Sequence, residues 1–167
     1  MKDKLTKSDI EKMMAEIDHR KLVVRPELLE HVKVARAQGD LSENFEYYAA
    51  KREKNKNESR IRYLERMIKT ANIIDDSSKD DEVGINNFVK IEFIDDKEID
   101  TFKIVTTIRV DTEKNMISID SPLGKALLGK KVGDIVKVVV NDQISYEAKI
   151  LEIDNNSDDS KDEIMKF

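Results

Sequence analysis

The stretch Ala35-Arg36-Ala37-Gln38-Gly39-Asp40-Leu41-Ser42-Glu43-Asn44-Phe45-Glu46-Tyr47 separates two long helical patterns and sets two carboxylates at their junction. Gly39 suits the left-handed backbone that ends a helix, and Asp40 or Ser42 suits the cap that opens the next. The chain is therefore expected to reverse here as a two-helix hairpin with Asp40 and Glu43 at its apex. Acids at such an apex cannot be fully covered by their own chain, so they are open to an outside partner. The same residues, Asp40-Leu41-Ser42-Glu43, also fit an acidic capping box in which Glu43 reaches back to the cap amide. The two readings are compatible, because a rigid cap also orients its carboxylates.

On the N-terminal side, Ile10, Met14, Ile17, Lys21, Val24, Leu28, His31 and Ala35 recur at alternating steps of 4 and 3, the spacing of a coiled-coil seam. On the C-terminal side, Tyr47, Ala50, Lys54, Asn57, Ile61, Leu64, Ile68 and Ala71 continue the pattern. Two antiparallel helices of about 30 residues would form a rod roughly 45 Å long. Pro26 predicts a kink or break around Val23-Arg25, with the proline in the first turn of the next helical segment. His31 is expected to be packed in the seam and His19 to lie on the surface.

Between Lys51 and Lys69 the second helix carries eight Lys or Arg against Glu53, Glu58 and Glu65. One reading is a solvated face with ion pairs such as Glu58 to Arg62 at four-residue spacing. The other is that Tyr47, Lys51 and Arg52, near the apex, contact a single-stranded nucleic acid by charge and stacking.

Beyond Ile74 the pattern changes. Residues 76–82 read as a linker, and residues 83–154 alternate with the period of strands at Val89/Ile91/Phe93, Phe102/Ile104 and Ile117/Ile119, followed by a hairpin from Val136 to Ile150. Ser121-Pro122 opens, and Gly129 closes, a short helix laid on that sheet. The fold class is α+β: an antiparallel coiled coil over residues 1–75, then a small α+β domain. Residues 155–167 are polar and acidic, a composition that predicts disorder.

The net charge of −5 conceals an asymmetry: residues 1–75 carry 17 Lys or Arg against 14 Asp or Glu, and residues 76–167 carry 13 against 21. An anionic partner is drawn to the first part and repelled by the second. With no cysteine, disulfides, thiolate zinc sites and thiol nucleophiles are excluded. No run approaches the roughly 20 apolar residues that span a bilayer, and the start Met1-Lys2-Asp3-Lys4-Leu5 lacks an apolar signal segment, so no membrane association and a cytoplasmic location are expected. There is no phosphate-cradling glycine motif, no nucleophile triad and no cluster able to hold a metal alone, which makes a self-sufficient enzyme a poor reading.

The run Ala35-Arg36, Gly39-Asp40-Leu41-Ser42-Glu43-Asn44, Glu46-Tyr47 and Ala49-Ala50-Lys51 resembles the tip signature of the bacterial Gre transcript cleavage factors, GreA-type. Supporting matches are Leu5-Thr6, Arg25-Pro26, Ile73-Ile74-Asp75, Ile117-Ser118, Ser121-Pro122-Leu123-Gly124-Lys125-Ala126-Leu127-Leu128-Gly129-Lys130 and Val132-Gly133-Asp134. The resemblance implies an FKBP-like C-terminal domain that binds bacterial RNA polymerase, and a monomer whose coiled coil enters the polymerase secondary channel. There the backtracked 3′ end of the nascent RNA is cut in the polymerase's own active site, the factor being an accessory rather than an enzyme. Asp40 and Glu43 would then be the acidic tip pair, sharing a Mg2+ with the polymerase and holding it weakly alone. A Gre-like modulator or inhibitor that fills the channel without cleavage is the alternative, and a coiled-coil adaptor with a merely structural tip is the third reading. Where the family usually has Ala, this chain has Phe45, which is expected either to pack under the tip or to contact the channel. No prolyl isomerase activity is expected, since the C-terminal aromatics are few.

Overall fold

The computed structural model describes residues 2–39, 44–155 and 158–166. Contacts divide the chain into two units, one of Asp3–Asp9 with Asn72–Lys166 and one of Ile10–Ala71.

The helical unit follows from the seam. Strand β1 (Lys4–Leu5) precedes helix α1 (Lys7–His19), a π-helical turn (Arg20–Val24) and helix α2 (Arg25–Arg36); after the apex comes the long helix α3 (Phe45–Thr70). Pro26 has no N–H to give the turn before it, and its ring crowds the preceding carbonyls. The helix widens instead of breaking: the Arg25 N–H bonds the Arg20 carbonyl five residues back, and Pro26 lies in the first turn of α2.

Ile17, Val24, Leu28 and Ala35 are buried or half-buried as the heptad predicts, with two departures. Met13 is buried where Met14 was expected, and Val32 is half-buried while His31 is exposed. The seam of α3 lies as predicted, with Asn57, Ile61 and Leu64 buried.

Cross-helix ion pairs set an antiparallel register. Glu16 meets Arg60 at 2.8 Å, Lys21 meets Glu65 at 2.6 Å and Arg25 meets Glu58 at 2.9 Å. Glu58 thus pairs across the hairpin rather than with Arg62, whose guanidinium donates to Ser59 at 3.1 Å. Arg60 is only 4% exposed and belongs to the interior, not to the basic strip. Burial disfavours the Glu16 anion, but hydrogen bonds and charge from Arg60 and Arg20 outweigh it and hold that carboxyl below its ordinary 4.5.

In the globular unit, β2 (Asn72–Ile73) pairs in parallel with β1, and a five-stranded sheet has the order β5-β4-β3-β7-β6. Its strands are β3 (Phe88–Phe93), β4 (Ile99–Val105), β5 (Met116–Ser118), β6 (Ile135–Val139) and β7 (Ser145–Asp154). All neighbours are antiparallel except β4 and β5. Every strand predicted by alternation is present, and the inward residues Val89, Ile91, Ile104, Val136, Val138, Ala148 and Ile150 form the core.

Helix α4 (Pro122–Leu127) lies on this core through Leu123 and Leu127, with the Ser121 hydroxyl accepting from the Gly124 N–H at 3.0 Å. A Cβ on Gly124 would stand 2.0 Å from the Ser118 carbonyl oxygen, so only glycine lets the helix approach β5 this closely.

The N-terminal turn is closed by a capping box: the Asp9 N–H donates to Thr6 Oγ1 at 3.2 Å and the Thr6 N–H donates to Asp9 Oδ2 at 2.9 Å. The composition of the tail predicts disorder, yet its described residues 158–166 are hydrogen-bonded to the globular unit through Asp158, Asp162 and Met165.

Candidate functional site at the hairpin apex

The last turn of α2 unwinds through Ala37, whose N–H donates to the Lys33 carbonyl at 3.2 Å, and Gln38, whose N–H donates to the Ala35 carbonyl at 3.3 Å. Gly39 follows with φ +126°, a backbone that L side chains rarely adopt, in keeping with its predicted role as terminator. Asp40 and Glu43, with Leu41 and Ser42, lie outside the described residues.

The cap of α3 is Asn44, not Asp40 or Ser42. Asn44 Oδ1 accepts from the Tyr47 N–H at 3.0 Å, while its Nδ2 donates to the Ala35 carbonyl at 2.6 Å. One amide side chain therefore satisfies an orphan donor at the start of α3 and an acceptor in the last turn of α2. Neither Asp nor Ser can supply both bonds here, because a carboxylate brings no donor and a hydroxyl is too short to span the two. Residue type pointed to Asp40 or Ser42, and only the tie to the Ala35 carbonyl, nine positions earlier, singles out Asn44.

Around this clamp, half-buried Tyr47 lies among exposed Phe45, Glu46 and Tyr48, with Arg36, Lys51 and Arg52 as the nearby cations. Tyr47 packs edge-on against Tyr48 with ring centroids 5.4 Å apart, and the Arg36 guanidinium lies 5.7 Å from the Tyr47 ring centroid. A hydrogen bond from Arg36, then the charges of Lys51, Arg36 and Lys54, lower the Tyr47 phenol below its usual 10.0. Lys51 and Arg52 are exposed in the second turn of α3. Phe45, of the two placements expected for it, takes the outward one: it is 84% exposed and does not pack under the apex.

No group of three or more His, Cys, Asp or Glu able to hold a metal occurs among the described residues. No helix among them is long and apolar enough to cross a membrane.

The described residues thus form a helical hairpin whose two arms are tied at Asn44, followed in the chain by a small mixed-sheet unit. Two family models cover nearly all of it: "Transcription elongation factor, N-terminal" matches residues 4–73, and "Transcription elongation factor, GreA/GreB, C-term" matches residues 77–155. The chain belongs to the GreA/GreB family of transcription elongation factors.

Among its relatives, transcription elongation factor GreA of Clostridium novyi is 44% identical over 150 residues, covering 89% of this chain and 94% of that protein. Transcription elongation factor GreA of Thermotoga neapolitana is 46% identical over 137 residues, covering 82% and 88%. Among solved structures, GreA factor homolog 1 (Gfh1) of Thermus thermophilus is 26% identical, with a TM-score of 0.43 over 92% of this chain and 99% of that one.

Proposed function

We propose that this chain binds bacterial RNA polymerase, inserts the helical hairpin into the secondary channel and stimulates the polymerase's own cleavage of backtracked nascent RNA. The observation that carries this reading is the doubly bonded Asn44 at the apex. It ties the ends of α2 and α3 together on either side of residues 40–43, at the end of the hairpin that would enter the channel first.

Two carboxylates suit magnesium, a hard cation that takes oxygen ligands and keeps several waters, but two alone hold it weakly. The remaining ligands come from the polymerase and the RNA. When bound, the ion supplies charge stabilisation to the attacking and leaving oxygens of the phosphodiester. Asp40 and Glu43 provide anionic oxygens for that ion and accept hydrogen bonds from the attacking water, which orients it. Tyr47 offers a ring face to an unpaired base, and Lys51 and Arg52 offer charge to the phosphates of the RNA 3′ end. The chain acts as a monomer, in the cytoplasm, and performs no chemistry without the polymerase.

The test is a stalled, backtracked transcription complex incubated with magnesium and either the wild-type chain or the Asp40→Asn/Glu43→Gln variant. Labelled RNA shortened by the wild type and not by the variant, with polymerase binding equal for both, is the expected result. Equal binding with no shortening by either would sink the cleavage reading and leave a channel-occupying modulator.

A further inference from the structure

Four charged side chains of the globular unit converge where its first residues meet its last. Arg109 is wholly buried; its Nε donates to Asp9 Oδ1 at 2.5 Å, and its Nη1 donates to Asn86 Oδ1 at 2.6 Å and to Asp162 Oδ2 at 2.9 Å. Lys103, 4% exposed, donates from Nζ to the same Asp162 oxygen at 2.8 Å and to the Asp158 carbonyl at 3.1 Å. Asp9 is already engaged by the Thr6 N–H and by the Thr106 hydroxyl, the latter at 2.7 Å.

Two cations thus face two carboxylates, and one carboxylate comes from the tail. Without Asp162 the cluster holds an uncompensated positive charge in a poorly hydrated place, which is costly. Two further donors there, Arg109 Nη2 and Asn86 Nδ2, are buried with no hydrogen-bond partner, so the cluster is already richer in donors than in acceptors. Asn86, Lys103 and Arg109 all lie inside the span of the C-terminal family model, residues 77–155, whereas Asp162 lies beyond it. The receiving groups belong to the family region and the acid that fills them does not.

The hold on the tail is polar rather than close-packed. Besides Asp162, its anchors include the Asp158 carbonyl and the Met165 N–H, which donates to the Ile108 carbonyl at 2.6 Å. A cavity of about 240 Å³ remains between Phe88, Lys103 and Met116 on one side and Lys161, Asp162 and Glu163 on the other. Asp111, which also lines this cavity, faces Lys114 at 4.0 Å.

We propose that Lys103, Arg109 and Asn86 form a carboxylate-binding site on the globular unit, and that the acidic C-terminal tail is its reversible ligand in cis, seated through Asp162. Docked, the tail covers Lys103 and Arg109. Released, it uncovers a cationic pocket that accepts an acidic peptide. This proposal does not depend on the cleavage reading.

The experiment uses the full chain and amide hydrogen exchange, read at Met165 and at Asp162, whose N–H donates to the Asp159 carbonyl at 3.0 Å. In the wild type these amides exchange at least about tenfold slower than in an unstructured peptide, the protection expected of a closed local unit. Asp162→Asn removes that protection, while Glu163→Gln, which alters the neighbouring exposed acid, leaves it.

A fluorescent peptide with the sequence of residues 158–166 binds the Asp162→Asn chain in trans, and the same peptide carrying Asn for the aspartate binds at least about tenfold more weakly, as expected when one partner of a buried charge pair is removed. Should Asp162→Asn melt the whole unit, a salt titration of the wild type decides, since salt favours the open, solvated charges. Tail protection falls with salt while protection of β3 stays constant. Unprotected tail amides in the wild type, protection indifferent to both salt and Asp162→Asn, or equal binding of the two peptides would each overturn the proposal.

Discussion

Replacing Asn44 with alanine removes two hydrogen bonds at a single position. Loss of the cap on the Tyr47 amide is worth about 1 kcal/mol. Loss of the bond to the Ala35 carbonyl is worth about another 1 kcal/mol, because Ala35 is a buried residue whose carbonyl gives up its side-chain partner. Local opening of the apex is then easier by about 2 kcal/mol, roughly 30-fold in population at 1.4 kcal/mol per decade.

Asn44→Asp separates the two contributions. It keeps an acceptor for the Tyr47 amide and adds a negative charge at a helix N-terminus worth about 0.5 kcal/mol, while its second oxygen, with no hydrogen to donate, turns away from the Ala35 carbonyl. Opening should then rise by no more than about threefold. The assay is amide exchange of Tyr47 and Tyr48 by NMR in the regime where rates report opening equilibria. If Asn44→Ala exchanges within twofold of the wild type, or if Asn44→Asp is as damaging as Asn44→Ala, the argument for Asn44 as a two-sided clamp is wrong.

Glu16→Gln leaves Arg60 buried without its carboxylate, and it should lower the stability of the helical hairpin by about 2 kcal/mol. That is less than for a fully buried pair, because the Glu16 side chain is 23% exposed. The double change Glu16→Leu/Arg60→Met should recover most of that loss in a denaturant titration followed by helical circular dichroism. Since the folded pKa of Glu16 lies below the ordinary 4.5, its contribution is full above that value and is lost as pH falls through the lower folded value, so acid should weaken the wild-type hairpin more than the double variant. Phe45→Ala should leave thermal stability within about 0.5 kcal/mol of the wild type, because the ring meets solvent rather than the chain. A change in RNA cleavage by that variant would therefore report a contact made outside this protein, and a drop in melting temperature would contradict the exposed placement.

The elements legible beforehand were those whose determinants are local. Gly39, the Ser121-Pro122 opening of α4, the alternation of Val89 to Phe93 and the seam from Tyr47 to Ala71 each depend on neighbours a few residues away, and each is found where expected. Determinants that act at a distance were not legible. Arg60 reads as one more cation on a basic strip, because its partner Glu16 is 44 positions earlier. The tail reads as disordered because Lys103, which receives Asp162, is 59 positions away. Strands β1 and β2, two residues each, are too short to show any period. The seam positions at Met13 and Val32 depart from the heptad spacing, and the proline announced a change in the helix before it without giving its form as a widened turn. At the apex the motif was visible, yet the choice of Asn44 over Asp40 or Ser42 rested on the Ala35 carbonyl, which only the folded hairpin brings near.

The crossed charges inside the hairpin carry a consequence for how such a protein can change in length. Arg60 is buried opposite Glu16, and Arg25 and Lys21 meet Glu58 and Glu65 on the other arm. Sliding one arm along the other by a heptad, roughly 10 Å at 1.5 Å per residue, would strand all of these at once. A deletion confined to one arm cannot be absorbed by slippage, and it would emerge at the far end as a rotation of the turn that joins them. Only paired changes, seven residues for seven, leave that turn facing the same way.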